Sequence, residues 1–309
     1  MNVEVASVLT ADPVAEMAAV TPIRELPAAD GPPLPVHRTV IEPARGWQLV
    51  NVAELWRYRE LLFFLCWRDV KIRYKQTVLG VAWAVLQPAM LMVVFTVFFS
   101  RLGGLSSGDM PYALFALAGL LPWTFFSTAI TNAGNSVVGS ERLITKIYFP
   151  RLAIPFASVG AAIVDFLMSL TLLVLFMAWH GIAPTWNILF APLIFAVILL
   201  AALGCGTLLA ALNVVYRDVR YVIPFFIQIG MFATPSIYMQ LPESSESGSL
   251  QWWLSINPMT GLIAGFRASV LGGPMPWVQL AIGAACSTAA FLVGCLYFRK
   301  AEDSFADLI

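Results

Sequence analysis

Three groups of residues in this 309-residue chain have types and spacings suited to chemistry. The first is RDVKIRYKQ, residues 68–76. Read as a helix, it puts Arg68, Lys71 and Lys75 on one face and Val70, Tyr74 and Val78 on another. Such a basic face suits anionic headgroups or a phosphorylated lipid substrate; its plainer role is to fix topology. The second is SERLITKIYFPR, residues 140–151. Arg142 and Lys146 stand four apart, Leu143, Ile147 and Tyr148 offer an apolar side, and Pro150 ends the run. A short helix there would rest in the cleft of a cytosolic motor and pass on its movement; the alternative is a connecting loop. The third is Asp165, the one acid deep inside an apolar stretch. An intramembrane acid points to a functional site, or to a hydrogen bond with Ser or Thr on a neighbouring helix.

Other chemistry is poorly provided for. The pattern GxxxxGK[ST] does not occur, so the chain offers no P-loop for ATP. Cys66, Cys205, Cys286 and Cys295 lie in apolar stretches without CxxC spacing, which argues for small buried hydrophobes. His37 and His180 stand apart, without carboxylates at ligand spacing, so no metal site is expected. A polyprenyl-dependent glycosyltransferase would need acidic metal-binding motifs in its loops, and Asp69, Glu141 and Asp218 are isolated.

These groups must be held by membrane elements. The residues are 59% hydrophobic and 12% charged, and mean hydropathy is +0.80. Soluble domains carry about 25% charged residues, so that class is excluded. Eighteen basic and eighteen acidic residues cancel, leaving no basic field for nucleic acid. A spanning helix takes roughly 20 apolar residues. Six such stretches are expected, at 78–100, 111–131, 152–178, 187–212, 221–238 and 276–298, in an all-α integral membrane fold.

Three further segments complete the frame. Leu55, Tyr58, Leu62 and Leu65 recur at helical spacing, and Trp56 and Trp67 suit an interfacial position. This predicts an amphipathic helix at the membrane surface, or a helical lead-in to the first span. Before it, residues 1–50 are broken by prolines at 13, 22, 27, 32, 33, 35 and 43 and read as a disordered cytosolic tail. Near the other end, Asn257 can cap a helix that starts at Pro258 and stops at Gly272-Gly273. That helix is too short to cross, which predicts a re-entrant or interfacial hairpin at the outer face.

Charge then orients the chain. Fifteen Lys and Arg follow residue 50, and with a cytosolic amino terminus all but Arg101 and Arg267 fall inside. The positive-inside rule therefore puts both termini in the cytosol of a six-span inner-membrane protein.

Four segments, RDVKIRYKQTVLGVAWAVLQP (68–88), ERLITKIYFPR (141–151), YRDVRYVIP (216–224) and NPMTGLIAGFR (257–267), carry a resemblance. Together they resemble the membrane subunit of ABC-2 type polysaccharide exporters, over roughly residues 45–305. More narrowly they are similar to permeases exporting lipid-linked O-antigen, with teichoic-acid exporters as relatives. The resemblance implies a homodimer, each copy paired with an ATP-binding cassette subunit that holds ATP and Mg, and no cofactor in this chain.

The same resemblance implies roles for particular residues. Residues 52–67 would be the interface helix, through Leu55, Trp56, Tyr58, Leu62 and Trp67. Residues 141–149 would be the coupling helix, through Glu141, Arg142, Leu143, Lys146, Ile147, Tyr148 and Phe149. Asn257, Pro258, Phe266 and Arg267 would belong to an outer gate. The channel would form between two copies, lined largely by the first, second and fifth spans. Physically, Arg68, Lys71, Arg73 and Lys75 would attract the pyrophosphate of a polyprenyl-linked glycan. Trp83, Phe95, Phe98, Phe99, Tyr112, Phe115, Trp123 and Phe126 are the aromatics able to stack on sugars. On the same fold, the alternative cargo is a teichoic acid, a drug or a small lipid.

Overall fold

In the computed structural model the described residues are 52–75, 77, 80, 82–102, 110–146, 148–234, 257–302 and 305, all within one contact unit. The expected tail at 1–50, Ile147 and the end of the expected fifth span lie outside them. Every described element is helical: α1 (Val52–Arg57), α2 (Arg59–Tyr74), α3 (Ala82–Phe95, continued by π-helical turns through Leu102), α4 (Tyr112–Ser136), α5 (Glu141–Ile144), α6 (Ala153–Trp179), α7 (Ala191–Val215, after a 3₁₀ turn at Trp186–Phe190), α8 (Val219–Phe232), α9 (Pro258–Leu271) and α10 (Trp277–Glu302).

Five of these stretches are long and apolar enough to cross a bilayer: Ala82–Phe99, Tyr112–Ser136, Ala153–Trp179, Trp186–Val215 and Trp277–Glu302. They match five of the six expected spans to within a few residues at most ends; α4 runs five residues beyond its expected end, because Ala133 and Val137 pack in the protein interior. The expected span at 221–238 corresponds to α8, whose 14 residues cover about 21 Å at 1.5 Å per residue.

Helix α4 is the central element, with α3, α6, α7, α8 and α9 around it. Its buried face runs from Tyr112 through Leu117, Leu121, Phe125 and Ala129 to Ala133. Four helices each add a ring to one cluster: Phe125 of α4, Phe166 of α6, Phe195 of α7 and Phe266 of α9. Phe166 and Phe195 stack at 4.3 Å, while Phe125 and Phe266 approach Phe166 at 5.6 and 5.9 Å. Removing one such ring costs about 3–5 kcal/mol, so the cluster fixes how the helices pack.

Where helices have little apolar transfer energy to gain from one another, close backbone contact holds them. A Cβ on Gly294 of α10 would collide with the Gly204 carbonyl oxygen of α7, so only glycine fits there.

A second core closes one end of the bundle. Val137, Ile144, Phe149, Leu152, Val214, Phe298 and Phe305 are buried there, and Leu55, Tyr58 and Leu61 pack against them. Arg57, Arg59, Arg142, Lys146, Arg151, Arg217, Arg220, Arg299 and Lys300 all belong to segments that meet at this end. This is the basic end of the molecule. Arg267 belongs to the opposite end, beside the start of α4.

Candidate functional site at the basic end

The ridge that carries Glu141–Phe149 is built from buried anchors and exposed charge. α4 passes into a 3₁₀ turn at Val138–Ser140, and α5 adds one further turn, Glu141–Ile144. Regular helix is therefore shorter than the expected 141–149. Thr145 closes it, its hydroxyl 3.1 Å from the Glu141 carbonyl oxygen. The chain then turns inward, since Phe149 and Pro150 are buried and a residue before proline is disfavoured in helical conformation. Ile144 and Phe149 hold the ridge down, while Glu141, Arg142, Lys146 and Tyr148 stand out from it, Tyr148 at 65% exposure.

Two open cavities flank the ridge. One, of about 400 Å³, is lined by Asn135, Val138, Glu141, Asn213, Val214, Arg217 and Arg220. The other, about 390 Å³, is lined by Arg68 and by Val138 to Leu143. Asn213 braces the first from below, donating to the Gly134 carbonyl at 2.9 Å and to Asn135 Oδ1 at 3.2 Å. A protruding ridge between two charged hollows can seat in a complementary surface and resist sliding in either direction.

The amphipathic segment comes as two helices, α1 and α2, parted at Tyr58. The face with helical spacing turns to protein: Leu65 is buried, and Leu55 and Tyr58 pack on the basic-end core. Leu62 is half-buried. The other face carries Trp56, Phe63, Phe64, Trp67 and Ile72, all more than half exposed, with Arg59 over the Trp56 ring at 5.4 Å. Tryptophans such as Trp56 and Trp67 favour the membrane–water boundary.

The four expected phosphate-binding cations divide in two. Arg68 is paired with Asp69, at 3.0 Å through Nε and 2.8 Å through Nη2, and Asp69 also accepts from Ser158 of α6 at 3.1 Å. Arg73 forms an ion pair with Asp165, and the Tyr74 hydroxyl donates to the same carboxylate. Burial raises the Tyr74 phenol above its ordinary pKa, opposed in part by the Arg73 charge, so the hydroxyl keeps its proton and donates. Lys71 and Lys75 are exposed. The pairing of Arg73 and Tyr74 with Asp165 joins residues 92 and 91 positions apart, which no local spacing reveals.

Of the aromatics, Phe95, Tyr112, Phe115 and Trp123 are buried within the protomer, and Phe99 and Phe126 are partly covered. Trp83 and Phe98 of α3 are exposed, at 52% and 60%. Trp123 is held by α8, because a Cβ on Gly230 would meet its ring at 2.9 Å. Helix α8 itself exposes Tyr221, Phe225, Phe226, Ile229 and Phe232, a row that the sequence reading did not single out.

At the opposite end α9 is mostly buried. Asn257 caps it by accepting from the Met259 amide at 3.1 Å, and Pro258 takes the first helical position. The Asn257 amide also reaches Thr234 Oγ1 at 2.9 Å and the Ala233 carbonyl at 3.2 Å, tying α9 to the end of α8. Phe266 is buried in the ring cluster. Arg267 donates to the Phe115 carbonyl at 3.1 Å and lies over the Phe115 ring at 3.6 Å.

The sequence matches the family model described as "ABC-2 type transporter" over residues 60–271. It is 29% identical to the O-antigen export system permease protein RfbA of Myxococcus xanthus, over 84% of this chain and 98% of that one. It is 26% identical to a protein of the same name from Klebsiella pneumoniae, over 81% and 95%. The polysialic acid transport protein KpsM of Escherichia coli is more distant, 22% identical over 77% and 92%. With that match across most of its length, on an all-helical frame with several membrane-crossing helices, the chain belongs to the ABC-2 type transporter family of membrane permeases.

Proposed function

We propose that the chain is the permease of an ABC exporter that moves a polyprenyl-linked, O-antigen-like polysaccharide across the bacterial inner membrane. The near full-length similarity to an O-antigen export permease carries this reading. A separate ATP-binding cassette subunit, holding ATP and Mg, drives export; this chain contributes transport and no hydrolysis. Two copies form the pathway. The basic end faces the cytosol, as the positive-inside rule requires, so that both termini lie there and α8 belongs to an additional, sixth crossing.

In this arrangement the ridge at Glu141–Phe149 sits in the ATPase, and α1 and α2 lie along the membrane surface beside it. Arg142, Lys146 and Tyr148 offer charge and an aromatic surface to the partner. Lys71 and Lys75 meet the pyrophosphate first, while Arg68 and Arg73 reach it only by leaving Asp69 and Asp165. Trp83 and Phe98 are the sugar-stacking candidates on the protomer surface. Asn257, Pro258, Phe266 and Arg267 shape the outer gate.

Co-purification from the native membrane tests this, followed by an ATPase assay with and without polyprenyl-linked glycan. The expected result is a stoichiometric ATP-binding partner whose hydrolysis responds to the glycan lipid. A partner indifferent to that lipid would move the cargo to a teichoic acid, a drug or a small lipid. A permease that recovers no ATPase would overturn the exporter reading.

A further inference from the structure

Helix α6 grips the chain on both sides of the joint between α2 and α3. Upstream, Asp165 takes the Arg73 guanidinium and the Tyr74 hydroxyl. Downstream and one turn along, the Ser169 hydroxyl lies 2.8 Å from the Ala84 carbonyl of α3 and 2.9 Å from the Asp165 carbonyl. Between these grips Gly80 takes a φ of +51°, its amide bonded to the Thr77 carbonyl at 3.3 Å and its carbonyl to the Trp83 amide at 3.3 Å. Two more contacts place the rest of α2 on the same helix: Asp69 with Ser158, and Cys66 against Gly160. Asp165 is the only acidic residue in α6, about 18 Å along the axis from its first residue Ala153. Its carboxylate is the counter-charge in the Arg73 pair, whose side chains are 29% and 19% exposed. A pair so shielded holds its geometry better than one in open water, and loss of one member strands the other.

We infer that Asp165 is a positioning residue for transport, the fixed point that sets the angle between α2 and α3. Movement received by α1 and α2 at the basic end then reaches α3 instead of being spent in the joint. This rests on the exporter reading above, in which α2 lies beside the ATPase and α3 borders the pathway. Lys71 and Lys75 stay outside the device, because both are exposed.

The test uses a reporter already half present. A Cβ at Gly160 would stand 3.9 Å from the Cys66 Cβ, within the span of a disulfide. Gly160→Cys in the full-length chain should therefore form a disulfide with Cys66 on mild oxidation in membranes, identified by mass spectrometry of the joined peptides. Adding Asp165→Asn should lower that cross-linking and, without the Gly160→Cys reporter, lower glycan export about tenfold while ATP hydrolysis continues, a coupling effect of ordinary size. The exchange Arg73→Asp with Asp165→Arg should recover both readouts. If Asp165→Asn fails to reach the membrane, Tyr74→Phe removes one bond only and should give a smaller loss of the same kind.

Unchanged cross-linking in Asp165→Asn would overturn the inference, whatever happens to export. So would lost cross-linking with normal export. The cross-linking yield needs neither ATPase nor glycan, so a failure of the exporter reading would show separately.

Discussion

The two ends of the molecule treat their polar groups in opposite ways. At the basic end, Glu141, Arg142, Lys146 and Tyr148 stand outward from a ridge held by two buried side chains, Ile144 and Phe149. At the opposite end, Asn257 and Arg267 spend their donors inside the protein, on α8 and α4, and ten of the fourteen residues of α9 are buried. A surface proposed to receive another chain, as at the basic end, keeps polar groups outward to offer it. The hairpin proposed for the outer face fills its own hydrogen bonds. The difference predicts where substitutions will act on stability and where they will act on coupling.

The largest loss is expected from Phe149→Ala, which sharpens the comparison by separating the skin of the basic end from its anchor. Phe149 is 4% exposed in the basic-end core, so the cavity should cost about 3–4 kcal/mol. The unfolding midpoint of the purified permease in detergent would report it. A midpoint close to that of the parent chain would mean the ridge is soft throughout. Next comes Arg267→Ala at the opposite end. It removes the bond to the Phe115 carbonyl and the cation over the ring, together about 2–4 kcal/mol in a covered site. Arg267→Lys should recover only part, because lysine keeps the charge and loses the planar fork.

Asn257→Ala follows, at about 1–2 kcal/mol for an N-cap that also binds a second helix. Its cap is the best instance of structure legible in the sequence. The order Asn-Pro at the start and Gly-Gly at the end marks α9 without any tertiary knowledge, and Gly272 and Gly273 do take positive φ. What the spacing could not give is the other half of Asn257, its bonds to Ala233 and Thr234, because those residues follow a helix distant in sequence.

The same limit runs through the site. Five spans are legible because twenty apolar residues in a row have few other uses, and the helical spacing of Leu55, Tyr58, Leu62 and Leu65 reveals a one-sided helix. It does not say which solvent the apolar side meets, and here that side meets protein while Trp56 and Trp67 are exposed. The cations of 68–75 read as a single basic patch until folding brings Asp165 to Arg73. Aromatics in a span read alike too, and only packing separates the buried Trp123 from the exposed Trp83.

The smallest effect on stability, and the sharpest division between the ends, is expected from Lys146→Ala combined with Tyr148→Ala. Both side chains are exposed, and hydrogen bonds within the ridge run through the Thr145 hydroxyl and the backbone. Surface changes of this kind usually shift stability by no more than about 0.5 kcal/mol. The double variant should therefore reach the membrane and unfold at the parental midpoint. Export should nonetheless collapse while ATP hydrolysis by the partner continues, because the ridge would rest in its seat without transmitting force. Arg267→Ala should show the reverse order, losing stability first. Normal export by the double variant would move the transmission point away from Glu141–Phe149, and the exposed charge there would then serve only to hold the basic end in the cytosol.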